Sequence, residues 1–249
     1  MSTYGARVLS WNCAGRERLF VPAALANDEH AAPHGGIPVL HPQFGFFGPG
    51  RKHGLVRDRA WQVERHEAHQ VVLRVALDAA EAGAAYELGL HVVLLDDALA
   101  IELEVANSGT SVAEFTCGLH TYLRVDDIAR AQLQGLAQAG FLDALDAMTA
   151  KPAENGNLRS PINVDRVYVE APPNLQLDRG DTLLAITQSG FADTVVWNPG
   201  AEIAAGFFDL AGDEWRNFLC VEAAQIKPPV QLAAGASWRG SQRLTVLDA

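Results

Sequence analysis

The sequence has few cysteines and no long apolar run, and both shortages limit what the protein can be. Only three of its 249 residues are cysteine, namely Cys13, Cys117 and Cys220, and none forms a Cys-x-x-Cys pair. An odd number of widely spaced cysteines argues against a disulfide framework. No stretch of 18 apolar residues occurs, and the first 22 residues lack the basic and apolar segments of a secretory signal. We therefore expect a cytoplasmic protein without a membrane segment.

Basic residues are scarce as well. The chain has 19 Lys and Arg against 30 Asp and Glu, a net charge of −11. Because a nucleic-acid surface needs clustered Lys and Arg, we expect no nucleic-acid partner. The basic residues that are present carry more information for the same reason. Arg51, Lys52, Arg57 and Arg59 form a local positive patch, as an anionic ligand would require.

The length of the chain suits one large β-domain. With 249 residues, of which 49% are hydrophobic, it can bury a sizeable core. This is long for an ordinary domain but normal for a single β-sandwich or barrel. We expect one domain over residues 1–249 and a monomer that acts on a small molecule.

Alternating apolar residues predict β-strands along most of the chain. The clearest case is a hairpin of residues 86–95 and 98–107, whose second arm places Glu102 and Glu104 opposite four aliphatic residues. Residues 25–33 are polar and predict a loop. Short strands follow from residue 163 onwards, separated by Gly, Pro, Asn and Asp. Together these signals indicate an antiparallel sandwich.

Residues 129–148 are ambiguous. Their Ala, Leu and Gln content and the spacing of their leucines favour a helix, which periodicity alone predicts here. Gly135 and Gly140 count against that helix.

Residues 34–57 form the stretch with the most suggestive chemistry. They combine six glycines and three prolines with three histidines, and their apolar positions have no sustained helical period. These residues predict a long, stiffened loop. Such a loop is either a structural crossover between sheets or part of a functional site, and composition alone favours neither.

Two residues are candidates for general acid/base catalysis. His120 falls on the more polar face of the alternating segment 114–123, where it is either a solvated surface residue or the lining of a site. Glu222 stands among apolar residues in FLCVEAA, where desolvation would raise its pKa. It either forms an interior salt bridge with Arg57 or Arg124, or works with a histidine as an acid/base pair.

Metal and nucleophile chemistries find less support. His34, His41 and His53 with Glu222 could bind a metal, but they lack the His-x-His spacing that puts two imidazoles on one strand face. Cys220 shares a strand face with Glu222 but has no evident basic neighbour to lower its pKa. No GxSxG, Walker or GxGxxG motif is present. We expect no metal and no cofactor.

Seven ordered motifs carry a resemblance to a known family. With compatible spacing, the chain resembles the glucose-6-phosphate 1-epimerase branch of the aldose 1-epimerase family, from about Gly5 to the C-terminus. The motifs are GGIPVLHPQFG followed by HGLVR, then LHTYLRVDDI, GFLDALDA, VDRVY, DTVVWNP and CVEAA.

The resemblance implies an all-β fold, a large twisted antiparallel β-sandwich whose site lies on the concave face of one sheet. Within 129–148 it replaces the helix by a strand, a turn and a second strand. It also implies that the face carrying His120 lines a cleft.

The resemblance further implies that the protein interconverts the α and β anomers of a sugar without a cofactor. Glu222 would be the base and His120 the acid, and Asp165 would hold a sugar hydroxyl. Arg57 would meet a phosphate, and His53 would help to place the sugar.

Two positions depart from the pattern of these relatives. His34 stands where phosphate-accepting relatives usually have Arg before GG(I/V)P, and Lys52 stands where they often have Gln or Ala. An imidazole is a weaker phosphate ligand than a permanently charged guanidinium, so Lys52 and Arg51 would compensate. We also consider a catalytically silent sugar-binding or sensor protein on the same fold, and glycoside hydrolysis by Asp165 and Glu222.

Overall fold

The computed structural model describes residues 1–26, 34–180 and 182–247. The loop prediction for residues 25–33 lies largely outside these ranges. The described residues contain two short α-helices, α1 (Ala79–Ala82) and α2 (Gly200–Ala204), and 3₁₀ turns at Ala23–Ala26, Val56–Asp58, Ala144–Asp146 and Glu214–Asn217. The strands are β1 (Asn12–Cys13), β2 (Arg16–Glu17), β3 (Val39–Leu40), β4 (Gln62–Glu67), β5 (Gln70–Leu77), β6 (Tyr86–Leu94), β7 (Ala98–Asn107), β8 (Ala113–Leu119), β9 (Tyr122–Arg124), β10 (Gln132–Gln134), β11 (Phe141–Asp143), β12 (Thr149–Lys151), β13 (Leu158–Arg159), β14 (Val164–Tyr168), β15 (Asn174–Asp178), β16 (Leu183–Ser189), β17 (Asp193–Asn198), β18 (Phe218–Leu232) and β19 (Ser237–Leu247).

Two large antiparallel sheets make up the architecture. A nine-stranded sheet has the order β13-β10-β15-β16-β19-β7-β6-β5-β4, and an eight-stranded sheet has the order β12-β11-β14-β17-β18-β8-β3, with β9 also paired to β18. The predicted hairpin is confirmed as β6 and β7. The all-β antiparallel sandwich predicted from the sequence is confirmed.

The main core lies between the two sheets. Leu103 and Val105 of β7 belong to the same buried cluster as Leu119, Val196 and Val221 of the eight-stranded sheet. Alternation along each strand therefore turns the intervening residues of the eight-stranded sheet to its other face. That other face carries the candidate functional residues.

A second, smaller apolar cluster covers part of this other face. Leu40 and Phe44 pack there on Val195, Ala224 and their neighbours. Phe44 begins the loop that runs to the turn Val56–Asp58, so this contact fixes the loop over the sheet. Residues 34–57 are largely loop, as predicted, with β3 inside them.

Residues 129–148 form two short strands, and the helix predicted from periodicity is wrong. Gln132–Gln134 joins the nine-stranded sheet and Phe141–Asp143 joins the eight-stranded one. Gly135 between them has φ +105°, and a Cβ there would lie 2.9 Å from the carbonyl oxygen of Asn174. A strand, a turn and a second strand, as the family resemblance implied, is confirmed.

Candidate functional site

Glu222 lies near the middle of the eight-stranded sheet. It is on β18, opposite Val195 of β17, and its side chain is only 2% exposed. Its Oε2 atom has no hydrogen-bond partner among the described residues. Burial and then the carboxylate of Asp165 raise the pKa of Glu222 well above its usual range, against the charge of Lys52. A buried carboxyl without a partner is costly unless it serves a ligand.

His120 faces Glu222 from a break in the neighbouring strand. β8 ends at Leu119 and β9 begins at Tyr122, and the His120 N–H donates to the Pro38 carbonyl instead of to a ladder. The imidazole stacks on the Tyr122 ring, with centroids 4.7 Å apart and planes 9° apart. The Nδ1 atom of His120 lies 3.4 Å from Glu222 Oε1. This Nδ1 atom has no hydrogen-bond partner in the described ranges. The pair is thus in contact without a formed hydrogen bond.

The environment of His120 favours its neutral form. Burial is the main cause that lowers its pKa well below the usual range, and electrostatic interactions with His53, His34, Arg57 and Lys52 act in the same direction. Burial likewise favours the neutral acid at Glu222, so it opposes the charged form of both members of the pair.

A buried polar link anchors the strand break from below. The Thr121 hydroxyl donates to Gln242 Oε1 on β19, over 2.6 Å. The Gln242 amide in turn donates to the Val221 carbonyl at 3.0 Å, next to Glu222. Both side chains are fully buried. This link joins the two sheets directly beneath His120 and Glu222 and holds both strands in place.

Asp165 shares the face of Glu222. It is on β14 opposite Trp197, and Trp197 is opposite Cys220 on β18, so these side chains point to one side. Burial raises the pKa of Asp165 to about 6, against the charge of Lys52. Asp165 therefore offers a carboxyl group that changes charge near neutral pH.

His34 is held by a buried carboxylate. Its Nδ1 lies 2.8 and 2.9 Å from the two carboxylate oxygens of Asp209, and its backbone N–H donates to the same group at 3.1 Å. Its ring stacks on Trp197 at 5.9 Å and 11° and touches Phe207. Burial raises the pKa of Asp209, but the bonds from His34 outweigh it and the net pKa is lowered.

His53 lies beside His120, with ring centroids 5.5 Å apart. Its φ of +63° is in the left-handed region, which a residue with a side chain adopts only at a cost. The Gly45 carbonyl accepts its N–H at 3.1 Å and so helps to hold this conformation. Burial first, and then Arg57, Lys52 and His34, lower the pKa of His53 to about 3. A strained, neutral imidazole is thus directed at the site.

Two cations of the predicted patch border the pair. Arg57 belongs to the turn Val56–Asp58 and is 18% exposed, with its Nε 3.8 Å from Asp58. Lys52 lies with its ammonium 5.1 Å from the Phe46 ring centroid, and its charge reaches Asp165 and Glu222. The two remaining patch residues pair elsewhere, Arg51 with Asp58 and Arg59 with Glu81.

Comparisons with known proteins decide the family. A family model described as aldose 1-epimerase matches residues 1–245. The chain belongs to the aldose 1-epimerase family. It is accordingly an isomerase, a mutarotase that exchanges the anomers of an aldose.

Named relatives and solved structures agree with that placement. A protein of Cenchrus ciliaris, named as a candidate glucose-6-phosphate 1-epimerase, is 31% identical over 98% of this chain and 80% of its own length. A protein of Escherichia coli with the same name is 28% identical, over 88% of this chain and 77% of its own length. The crystal structure of a candidate mutarotase from Salmonella typhimurium superposes with a TM-score of 0.87 at 23% identity, over 99% of this chain and 86% of that one. No helix in the described residues is long and apolar enough to cross a membrane.

All the site residues predicted for this aldose 1-epimerase family member lie near one another. The ring contacts and electrostatic interactions described above link the members of the predicted set to one another. The set is His34, Lys52, His53, Arg57, His120, Asp165 and Glu222. Glu222 contacts His120 rather than forming the salt bridge considered with Arg57 or Arg124. The role of each residue is a prediction, to which the next subsection returns.

The four residues weighed as metal ligands do not assemble. His41 is fully buried, edge-on to the rings of Tyr86 and Phe115 at 4.6 and 4.9 Å. His120, Cys220 and Glu222 do have ligand atoms within 4.8 Å of one another. Burial raises the pKa of the Cys220 thiol well above its usual range, and Glu222 adds to this. A thiol and a carboxyl whose pKa values are both raised by burial make a poor metal site, and such a thiol is a poor nucleophile.

Sequence reasoning missed several residues of the epimerase site. Tyr122 and Trp197 lie within quoted motifs, and strand alternation could have placed them beside His120 and Asp165. Asp209 lies in the irregular segment between α2 and the turn Glu214–Asn217, which gives no periodic signal.

Proposed function

We propose that this protein interconverts the α and β anomers of a hexose 6-phosphate by general acid/base catalysis at Glu222 and His120. The observation that carries the proposal is the buried pair itself. Its carboxyl and imidazole lie 3.4 Å apart, and neither His120 Nδ1 nor Glu222 Oε2 has a hydrogen-bond partner among the described residues. The cations around the pair suit a phosphate-bearing sugar. The names of the relatives from Cenchrus ciliaris and Escherichia coli point to the same substrate class.

The reaction needs one proton removed and one delivered. In one direction Glu222 removes the proton of the C1 hydroxyl while His120 protonates the ring oxygen, and the C1–O5 bond breaks. The open aldehyde rotates about the C1–C2 bond. Ring closure then returns each proton with the roles reversed and gives the other anomer.

A single shared proton satisfies both roles. The neutral acid at Glu222 with neutral His120 has the same total charge as the carboxylate with the imidazolium. Ring opening converts the carboxylate and imidazolium into the neutral pair, and ring closure restores them, so the cycle needs no proton exchange with water. Burial raises the pKa of Glu222, so the carboxylate is a strong base once it is formed.

The surrounding residues bind the substrate in this proposal. Asp165 accepts a sugar hydroxyl, and His53 helps to orient the ring next to His120. Arg57 and Lys52 provide the cationic side of the cleft, where the phosphate binds beside the imidazole of His34. The net charge of −11 favours such a small ligand over nucleic acid. We further propose a cytoplasmic monomer.

Anomer-exchange NMR tests the proposal. Each acid or base contributes roughly 10²- to 10⁴-fold, so Glu222→Gln should abolish most of the acceleration of exchange for glucose 6-phosphate. Glu87→Gln, at an exposed position of β6, is the matched control and should retain wild-type exchange. Unchanged exchange in Glu222→Gln, with native circular dichroism, would rule out the assigned base.

The substrate class is tested with the same measurement. Exchange should be accelerated more for glucose 6-phosphate and galactose 6-phosphate than for the unphosphorylated sugars at equal concentration. Saturable binding of these sugars with no acceleration at all would instead favour the sugar-binding or sensor alternative. Release of reducing ends from a disaccharide would favour hydrolysis by Asp165 and Glu222.

A further inference from the structure

The strand break at His120 keeps the register of the ladder with β18. The paired residues on its two sides are Ala223 opposite Leu119 and Cys220 opposite Tyr122. Two residues lie between these pairs on each segment, so His120 lies opposite Glu222 and Thr121 lies opposite Val221. Since opposite residues of antiparallel strands share a face, the first pair faces the cleft and the second faces the core between the sheets.

One backbone hydrogen bond of the ladder is missing between Thr121 and Val221. The Val221 N–H donates to the Thr121 carbonyl at 3.1 Å. A regular antiparallel pair of this kind would return a second bond, from the Thr121 N–H to the Val221 carbonyl. Here the Thr121 N–H donates instead to the Leu119 carbonyl at 3.0 Å, which closes a tight turn around His120. The turn that presents His120 to Glu222 thus takes a donor away from the Val221 carbonyl.

Gln242 supplies the donor that the ladder lacks. It lies on β19 in the opposite sheet and is fully buried. Its Nε2 donates to the Val221 carbonyl at 3.0 Å, and its Oε1 accepts the Thr121 hydroxyl at 2.6 Å. A buried carbonyl and a buried hydroxyl both need such partners. One side chain therefore closes the gap and fixes the two residues that adjoin His120 and Glu222.

A neighbouring glutamine makes a link of the same kind away from the acid/base pair. Gln188 lies opposite Gln242 on β16 and is also buried. Its Nε2 donates to the Asp193 carbonyl at 3.1 Å, and its Oε1 accepts the Thr194 hydroxyl at 3.4 Å. These partners are on β17, which carries neither member of the pair. The two glutamines thus both join the sheets, but the link of Gln242 ends beside the acid and the base.

We propose that Gln242 is a positioning residue for catalysis, which holds His120 and Glu222 at the separation that proton transfer to and from the sugar requires. The inference rests on the proposed function and adds a residue of the opposite sheet to it. Gln242 is buried in the core and acts through Thr121 and Val221. Because a small displacement of a reacting group lowers the rate steeply, its loss should reduce kcat and leave KM near wild type.

Kinetics of two matched variants are the first test. Gln242→Leu removes both hydrogen bonds at similar side-chain size, and should lower kcat for anomer exchange of glucose 6-phosphate roughly 10- to 100-fold with KM near wild type. Gln188→Leu loses the same kind of link, and its kcat should stay near wild type. Wild-type kcat in Gln242→Leu, or an equal loss of kcat in both variants, would overturn the proposal.

Variants of Thr121 test the link from its other end and leave Gln242 in place. Thr121→Val removes the hydroxyl but keeps the shape of the side chain, so kcat should fall because the Gln242 amide loses one of its two anchors. Thr121→Ser keeps the hydroxyl and should retain most of kcat. Equal kcat in these two folded variants would contradict the proposal.

Histidine NMR signals test the position of His120 without catalysis. Its ring lies against Glu222 and stacks on Tyr122, so its signals report both contacts. They should shift in Gln242→Leu and keep their wild-type positions in Gln188→Leu. Unshifted signals in Gln242→Leu would overturn the positioning role. If the wild type accelerates no exchange but Gln242→Leu alone shifts these signals, the proposed function fails while the positioning of His120 by Gln242 stands.

Discussion

Asp209 determines which atom His34 can offer to a ligand. Its two oxygens engage Nδ1 and its Oδ2 also accepts the backbone N–H of His34, so Nε2 is the ring nitrogen left for a substrate. Trp197 and Phe207 confine the ring on its sides. His34 is consequently held in a fixed position, from which Nε2 would contact the substrate in the proposed function.

Removing the Asp209 carboxylate should loosen both the side chain of His34 and the loop that carries it. Asp209→Ala leaves the His34 N–H and Nδ1 without their partner, at a cost of about 1–3 kcal/mol in the free energy of unfolding. KM for glucose 6-phosphate should rise as well. Urea unfolding and exchange kinetics measure the two effects. Asp213→Ala, exposed and without a side-chain cap bond, is the control, and equal stability of the two variants would contradict this account.

Asp165 should give substrate binding a pH dependence. Burial raises its pKa to about 6, so its carboxyl is ionised above that pH and protonated below it. The ionised form accepts hydrogen bonds from sugar hydroxyls and the protonated form accepts them less well. We expect KM to rise as pH falls through about 6.

The variant Asp165→Asn tests this assignment. Its amide does not titrate, so KM should be higher than wild type at pH 8 but should change little between pH 8 and 5. Exchange NMR with glucose, which carries no titrating phosphate, gives KM at each pH from several sugar concentrations. If KM of the variant rises below pH 6 as it does in the wild type, a different group is responsible.

At the scale of elements, the loop over the sheet depends on one close contact with β8. Phe44 lies directly on Gly118, where an added Cβ would come 2.7 Å from the ring and 2.8 Å from the Ala223 carbonyl. The same loop carries His53 and the turn with Arg57. A change at Gly118 therefore acts on the site through the loop.

Gly118→Ala should displace Phe44 and cost about 1–3 kcal/mol of stability, the usual range for overpacking. It should also raise KM, because His53 and Arg57 move with the loop. Chemical denaturation and exchange kinetics are the measurements. Gly206→Ala is the control, since its nearest neighbour would be 3.4 Å away. Native kinetics in Gly118→Ala would mean that the loop is held by other contacts.

Individual elements differ in how well their sequence predicts them. The β6–β7 hairpin is predictable because Leu103 and Val105 are buried while Glu102 and Glu104 face outwards, a pattern with period two. Residues 129–148 mislead because each of their strands has only three residues, too few to show a period. The family resemblance predicted the two strands of this segment, whereas periodicity predicted a helix.

At the scale of the whole molecule, the site depends on pairings between distant segments. Glu222 and His120 could be proposed from their local sequence, since each has a recognisable strand context. Their contact depends on the register of Ala223 opposite Leu119 and on the strand break that follows. Asp209 could not be predicted, because hydrogen bonds between irregular segments bring it to the site.

The stability of the whole fold should decrease in mild acid because of buried histidines. Burial lowers the pKa of His41 to about 3, and both its ring nitrogens are without partners among the described residues. The pKa of this histidine is 6.5 in the unfolded chain. Between pH 6.5 and about pH 3, the unfolded chain therefore binds a proton at His41 that the folded chain does not. The free energy of unfolding therefore falls as pH falls through this window. His53, with a pKa also about 3, adds to the effect.

The hydrogen-bonded carboxylate of Glu104 loses its contribution at lower pH than the histidines, which separates the two effects. Hydrogen bonds from Arg74 and Arg239 lower the pKa of Glu104 to about 2, so its contribution is lost below about 4.5. His41→Leu should therefore flatten the decline in unfolding free energy between pH 6 and 5 by about 1.4 kcal/mol per pH unit, one proton's worth. His66→Leu, at an exposed site on β4, should keep the wild-type slope. The prediction depends on the cost of protonating a buried imidazole that has no hydrogen-bond partner. Identical slopes in the two variants would show that His41 is not the group whose protonation opposes folding.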